Sequence, residues 1–475
     1  MENCSRLVVP IIMNTILESK IFSSIRNISF GRNEIQFGII IATIMISLIA
    51  SYWGSLTILI LLIAAVIGIP FLLLLLKYPN LGYIFILFGG WFIPFNGPGG
   101  FNVSILMVIL MIALWLMDMF VVKRKFEFVR SRTLRPAGYF MLVSVIAFAI
   151  GQISWFPFAN QAPLTAQVGG FAIYFFLVAT MIMTANIVHD VRWLQVFSWT
   201  FIGLGTIYIL FRIAHLSIID RVFAHGVYAN SMFWTWIVVI PLSQAIFNHE
   251  LKPKIRMLLY GIVVAAFYVA IIQQNDWKSG WVPPVVAAGV LVALRFKKLA
   301  LMAIPFAVLI AGYLAIDLIA TDTYSWGTRV DAWLVVLAIS KTSPIIGLGF
   351  ANYYWYALNF SIRGYQIKFN SHSQFVDIIA QTGILGLIGF FWILFEVGLL
   401  SWKLQQKLTS GFERAYAYGI LAGIFGSLMA AFLVDWVLPF TYNIGLDGVR
   451  ASILPWIFFG GLVAIEKINK EKLHS

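Results

Sequence analysis

Hydrophobic positions in this chain follow neither the alternation of a half-buried strand nor the one-sided stripe of a surface helix. Apolar residues continue for many positions, stop at a short polar cluster, and resume. The runs fall at about 36–52, 55–76, 81–95, 103–122, 137–155, 168–188, 193–211, 229–247, 257–273, 281–295, 298–320, 376–400, 415–437 and 450–466. A helix rises about 1.5 Å per residue and a bilayer's hydrocarbon core is about 30 Å thick, so about 20 apolar residues cross it. The pattern predicts an all-α, polytopic membrane bundle of about fourteen transmembrane helices. The runs at 81–95 and 281–295 are short and read as tilted, broken or re-entrant. The chain then divides into a cytoplasmic segment (1–35), helices one to eleven (36–320), a long extracytoplasmic loop (321–375), the last three helices (376–466) and a cytoplasmic tail (467–475).

Composition narrows the class. Of 475 residues, 61% are hydrophobic and 11% charged, against about 25% charged in an average globular protein. That excludes a soluble enzyme, a disordered chain and a disulfide-stapled secreted domain. The single cysteine, Cys4, forms no internal disulfide. No cleavable signal peptide is evident, so the first span is expected to act as the targeting signal.

The net charge of +13 matters through its sidedness rather than its sum. With the N-terminus inside, most basic residues fall in inner loops, notably the block from Lys123 to Arg135 and the tail residues Lys467, Lys470 and Lys472. Cationic loops stay on the cytoplasmic side, so both termini are expected there, in the cytoplasmic (inner) membrane. The basic residues left outside run against that sorting and invite a local task. They gather at 212–228 (Arg212, His215, Arg221, His225) and at 321–375 (Arg329, Lys341, Arg363, Lys368, His372), with Lys278 and Arg450 outside these clusters.

The second cluster lies in a loop rich in aromatics. An amphipathic segment, Thr328 to Ser340, carries Val330, Trp333, Leu334 and Leu337 at helical spacing and ends before Pro344. Gly347 and Gly349 follow, where glycine permits a tight turn or close backbone approach. The loop reads as a packed cap over the outer end of the bundle, long enough to be functional.

The ordered set Gly327-Thr-Arg329-Val-Asp-Ala-Trp333, Ser343-Pro344-Ile-Ile-Gly347-Leu-Gly349, Ser371-His372-Ser-Gln374 and Gln381-Thr-Gly383-Ile-Leu-Gly386 resembles the signature of the O-antigen ligase and O-antigen polymerase (Wzy-type) superfamily. Upstream, Arg221 to Asn230 and Lys278-Ser279-Gly280 are similar to two earlier elements of that pattern. The chain departs from it twice: Ser373 stands where an Asn usually follows the His, and Lys278 where an Arg is usual.

The resemblance implies a GT-C-like membrane glycosyltransferase of surface polysaccharide (lipopolysaccharide) assembly, inverting and metal-independent, with no cofactor. Its donor would be a glycan on undecaprenyl diphosphate. Its acceptor would be a hydroxyl of lipid A core (ligase) or of another carrier-linked glycan (polymerase). Membrane lipids and polysaccharide-assembly proteins would be its other partners, and nucleic acid would not.

That chemistry suits the retained cations. A departing lipid diphosphate needs cations already in place, and Arg offers two parallel donors to phosphate oxygens. Arg221 and Arg329, with Lys278 and Arg363 as helpers, are the expected donor-diphosphate ligands. His372 is the expected catalytic base or orienter for the acceptor hydroxyl. Trp333, Gly347, Gly349 and Gln374 read as motif residues that shape the loop. The outer carboxylates Asp220, Asp276, Asp322, Asp331 and Asp447 show no metal-binding spacing. Each assignment has a plainer rival: arginines snorkel to headgroups, and loop histidines bond carbonyls. Asp317, Asp377, Asp435, Asp118 and Glu396 lie near the ends of spans, where ionisable groups are functional candidates.

Two other functions compete: a secondary transporter of a small anion such as bicarbonate, and a lipid-linked glycan flippase. A transporter concentrates polar, broken helices at the midplane of matched halves, and a flippase lines a central cavity with cations. Here the polar residues gather in outer loops, and no matched halves are visible.

Overall fold

The computed structural model describes residues 56–97, 100–298 and 323–474, with Ile41, Met45 and Gly312 as single helical positions. Apart from Ile41, Met45, Lys298 and Gly312, the predicted runs 36–52 and 298–320 lie outside the described residues. Each of the others coincides with a helix. There is no β-strand among the described residues, only two isolated bridges.

The chain forms two units, Met1–Leu74 and Leu75–Ser475. In the first, apart from Ile41 and Met45, the described chain belongs to α1 (Leu56–Lys77). The second unit holds the rest: α2 (Leu81–Phe92), α3 (Val103–Met117), α4 (Arg135–Ile150), α5 (Leu164–Ile187), α6 (Val191–Ile213), α7 (Ser231–Phe247), α8 (Pro253–Phe267), α9 (Lys278–Arg295), α10 (Thr323–Ser340), the short α11 (Asn352–Tyr356), α12 (Gln374–Lys407), α13 (Gly411–Leu433) and α14 (Val449–His474). Six-residue π segments extend α3 to Lys123 and α8 to Gln273.

Among the described residues, eight helices are long and apolar enough to cross a membrane: α3 to α6, α8 and α12 to α14, with their extensions. α2 and α7 are apolar but shorter. The sequence expectation of a helical membrane bundle holds.

Hydropathy does not tell the centre of the bundle from its rim. The apolar window of α14 is buried throughout, against α5, α7 and α13, whereas α3 and α8 bury about a third of theirs or less. A helix that is apolar all round fits either a protein core or a lipid contact.

Contacts sort the helix ends into two groups. At one end, Asn352 Nδ2 donates to Gly151 O, Ala224 N to Trp91 O, Arg329 Nη1 to Leu433 O, and Gln374 Nε2 to Leu438 O. At the other, Arg132 pairs with Glu396, Ser131 bonds Glu466, and Asn469 bonds Glu413. The outer cations of the sequence belong to the first end and the block from Lys123 to Arg135 to the second.

α10 begins five residues earlier than the amphipathic pattern predicts. It does not cross the bundle. Its N-terminal part reaches Leu433 through Arg329, and Val336 and Ile339 pack into a buried cluster with Leu348, Tyr353, Tyr356 and Phe440 at the same end.

Candidate active site

The Pro-x-x-Gly-x-Gly turn and the glycine of the following helix form one structure. α12 breaks at Gly383, whose φ of 68° and ψ of −169° lie outside the helical region. A break frees carbonyls before it and amides after it, and in an apolar bundle each must find a partner. The 344–349 loop supplies them. Leu348 N donates to Ala380 O at 2.9 Å and Gly349 N to Gln381 O at 3.1 Å; Ile384 N donates to Pro344 O at 2.9 Å and Leu385 N to Ile345 O at 3.1 Å. Only glycine fits at the crossing. A Cβ on Gly383 would press into the Ile345 carbonyl, and one on Gly347 (φ 75°) would lie 2.5 Å from the Gln381 carbonyl carbon. Gln381 closes the splice by accepting from Ala351 N and donating to Tyr174 Oη.

The spliced helix presents its N-terminus to the loop 370–373, where His372 sits at φ 50°, a left-handed conformation uncommon for a residue with a Cβ. Neighbours hold that strain in place. His372 N donates to Asn370 Oδ1 at 3.0 Å, and Trp333 Nε1 donates to Ser371 O at 2.7 Å. Ser371 Oγ donates to Asp377 Oδ1 at 2.7 Å, and Tyr353 Oη donates to the same oxygen at 2.5 Å. Strain of this kind costs about 1–3 kcal/mol and clusters at functional sites.

Arg329, Arg363 and His372 line one cavity of about 630 Å³, with Asn370 and the apolar side chains of Ile367 and Phe369. Arg329 reaches in from α10 and gives Nη1 to Leu433 O at 2.9 Å. Arg363 stands at the tip of a two-residue turn in which Ile362 and Tyr365 exchange both backbone bonds. Arg363 (φ 50°) and Gly364 (φ 84°) take the left-handed conformations such a turn requires. Its Nε returns to Asp331 Oδ2 at 2.6 Å.

Behind the cavity is an acid. Asp435 is fully buried and accepts from Phe440 N at 2.6 Å, Asn443 Nδ2 at 2.8 Å and Asn370 Nδ2 at 3.4 Å. Asn370 therefore bridges Asp435 to the His372 backbone. Burial pushes the His372 imidazole below its ordinary value and Arg329 adds to that, while Asp435 pushes it back up. A neutral imidazole at neutral pH is a proton acceptor. Burial in turn raises the Asp435 carboxyl, against its hydrogen bonds and the nearby His372.

The structure thus brings together three of the five expected reactive residues. Arg221 is exposed on a short turn (Ile219–Val222), away from the cavity lining. Lys278 opens α9 beside Trp277, whose ring meets Trp436 edge-on at 6.0 Å, and also stands off the lining. Trp333 braces the His372 loop, Gly347 and Gly349 form the splice, and Gln374 is buried against Leu438, donating to its O at 3.0 Å and accepting from its N at 2.7 Å. Sequence reasoning missed Asn370 and gave Asp435 no partner. The two are 65 positions apart, and only folding joins them. Among the described residues no three His, Cys, Asp or Glu side chains stand together as metal ligands.

No curated protein matches the chain. Residues 255–391 match the model of a family described as O-antigen ligase. That stretch contains Arg329, Arg363 and His372 and the splice at Gly383. Over this stretch the chain is similar to the O-antigen ligase family, which supports a place in the O-antigen ligase and polymerase superfamily.

Proposed function

We propose that the protein transfers a glycan from an undecaprenyl-diphosphate donor to a hydroxyl of an acceptor glycan or glycolipid, at the outer face of the cytoplasmic membrane. The observation that carries this reading is the convergence of Arg329, Arg363 and His372 on one cavity inside the O-antigen ligase domain. The cavity end is taken as the outer one because the block from Lys123 to Arg135 lies at the other, as cationic loops do on the cytoplasmic side.

In this reading Arg329 and Arg363 hold the donor diphosphate. Exposed Tyr365 and Ile367 give the cavity an apolar lip against which the polyprenyl chain rests. His372 accepts the proton of the acceptor hydroxyl as its oxygen forms a bond to the anomeric carbon. The bond from that carbon to the diphosphate oxygen breaks, and the diphosphate leaves with the electron pair. Attack opposite the leaving group inverts the carbon. The arginines act on charge that grows as the diphosphate departs, so they stabilise the transition state more than the bound donor.

The break in α12 is the feature a transporter would share. Here the 344–349 loop fills it, and the carbonyls of Ala380 and Gln381 accept from that loop.

The test is transfer by the purified protein from a synthetic undecaprenyl-diphosphate-linked glycan. Arg329→Ala should lower the rate by a hundredfold or more, about 3 kcal/mol of lost charge stabilisation. Arg329→Lys should recover part of it, since a point charge lacks the forked geometry. Near-normal transfer by a folded Arg329→Ala protein would overturn the proposal.

A further inference from the structure

The end of the bundle opposite His372 carries a second cationic site, which the transfer reaction does not use. α3 finishes in its π segment at Lys123, and Arg124 turns the chain back in the left-handed conformation (φ 50°). The returning loop is fastened by Val129 N, which donates to Asn186 Oδ1 at 2.9 Å, and by Ser131 Oγ, which donates to Glu466 Oε2 at 2.9 Å. Residues 123–135 hold six basic side chains and one acid, Glu127.

Three elements bring part of this charge to one cup. Lys123 and Arg130 from the loop, His189 from the α5–α6 turn and Lys467 from α14 line a cavity of about 530 Å³, with Glu127 its one lining carboxylate. Lys467 Nζ lies 2.8 Å from His189 Nδ1. Burial, with Lys467 and Lys123 after it, holds the His189 imidazole below its ordinary value against the pull of Glu471, so the neutral ring accepts from the ammonium. Lys123 also pairs with Asp118 at 2.7 Å. Like charges drawn together from separate elements favour an anion between them.

The cup does not end in water on all sides. A smaller cavity of about 190 Å³ shares Trp115, Lys123, Asn186 and His189 with it, has the Lys123-paired Asp118 in its lining, and continues between Leu75, Leu76, Met111 and Leu114. Phe126 and Phe128 stand exposed at the rim, 63% and 49% accessible. A cationic cup that opens into an apolar slot has the two-part shape of an amphiphile.

We infer that this is a binding site for an anionic membrane lipid on the face opposite the transfer cavity. Lys123, Arg130 and Lys467 take the headgroup phosphate, and an acyl chain lies along Leu76, Met111 and Leu114. The site is independent of the catalytic proposal, which has different residues and a different readout.

The full-length protein in detergent, examined by native mass spectrometry, tests it. Dioctanoyl phosphatidylglycerol should bind saturably and about tenfold or more tighter than dioctanoyl phosphatidylcholine. Lys123→Gln/Lys467→Gln should erase that preference. Lys252→Gln/Lys254→Gln, which alters exposed lysines at the same end, should leave it intact. Should the first pair fail to fold, Lys123→Gln and Lys467→Gln singly should each reduce the preference severalfold. Equal loss in both pairs would reduce the site to general surface charge and overturn the inference. Glycerol 3-phosphate or inorganic phosphate binding as tightly as the lipid would also overturn it, leaving a site for free phosphate.

Discussion

Arg450 and Arg329 stand at the same end of the bundle, and both go against the sorting of cations to the inner side, yet their surroundings differ. Arg450 is 1% exposed. Each of its five N–H groups has an acceptor: Nε bonds Asp447 Oδ1, Nη1 bonds Gly90 O and Ile93 O, and Nη2 bonds Phe95 O and Asn96 Oδ1. It ties the end of α2 and the turn after it to the start of α14, satisfying carbonyls that a helix end leaves without intrahelical partners. Arg329 is half-buried, gives Nη1 to Leu433 O, and lines a cavity with Arg363 and His372. A cation on the unexpected side of a membrane protein is thus not by itself a ligand site. The distinction lies in whether the charge faces protein carbonyls on all sides or faces a space large enough for a substrate.

The comparison breaks first at Arg450. Arg450→Ala leaves the part-exposed Asp447 and a set of backbone carbonyls without their partner, and each buried acceptor left unsatisfied costs about 1–3 kcal/mol. The expected outcome is a sharp loss of folded protein in a detergent melting or protease assay, with donor binding lost only in proportion. A folded Arg450→Ala protein with unchanged melting would show that the clamp is dispensable.

The splice sharpens the other half. Gly383→Ala puts a Cβ at φ 68° and into the Ile345 carbonyl. That backbone conformation is essentially confined to glycine and costs a residue with a Cβ about 1–3 kcal/mol, and the collision pushes the 344–349 loop away from α12. Because the N-terminal half of α12 supports the His372 loop, transfer should fall more than stability does, measured as turnover against melting temperature on one preparation. A proportional fall in both would make the splice a matter of folding alone.

The smallest effect is one of pH. In the proposed reaction His372 acts as the neutral base, so activity should fall as pH drops through its pKa. Burial and Arg329 place that acid limb below the ordinary histidine value of about 6.5. Asp435 raises the pKa, so Asp435→Asn should move the limb to lower pH, and Arg329→Ala should move what activity remains to higher pH. A pH profile of kcat/KM reads both shifts. A limb that ignores both substitutions would detach His372 from the profile.

Much of the fold was legible because a span must be long and apolar whatever surrounds it. Which spans are central was not. α14 and α3 are both apolar over their windows, yet one is wholly buried and the other mostly not. α7 was also legible as a run, although its helix, Ser231–Phe247, is shorter than a full span.

The site divides in a similar way. Arg329, Arg363 and His372 were visible as charges retained on one side. Arg221 and Lys278 were visible for the same reason, and the fold leaves them off the cavity. Asn370 carries no charge, and Asp435 reads as one of several acids near the ends of spans, so neither announces its contact with the other. The same sidedness that singled out Arg329 also caught Arg450, because sequence does not show which backbone carbonyls a guanidinium will meet.

In the proposed reaction one cavity divides its labour, with arginines holding the donor diphosphate and His372 serving the acceptor. The direct measurement is donor binding and single-turnover transfer on the same purified His372→Ala protein, beside wild type. Donor affinity should stay within about threefold of wild type, with transfer slowed by roughly a hundred- to ten-thousand-fold, the range of general-base catalysis. Loss of donor binding together with transfer would make His372 a structural residue, and unchanged transfer would remove it from the mechanism.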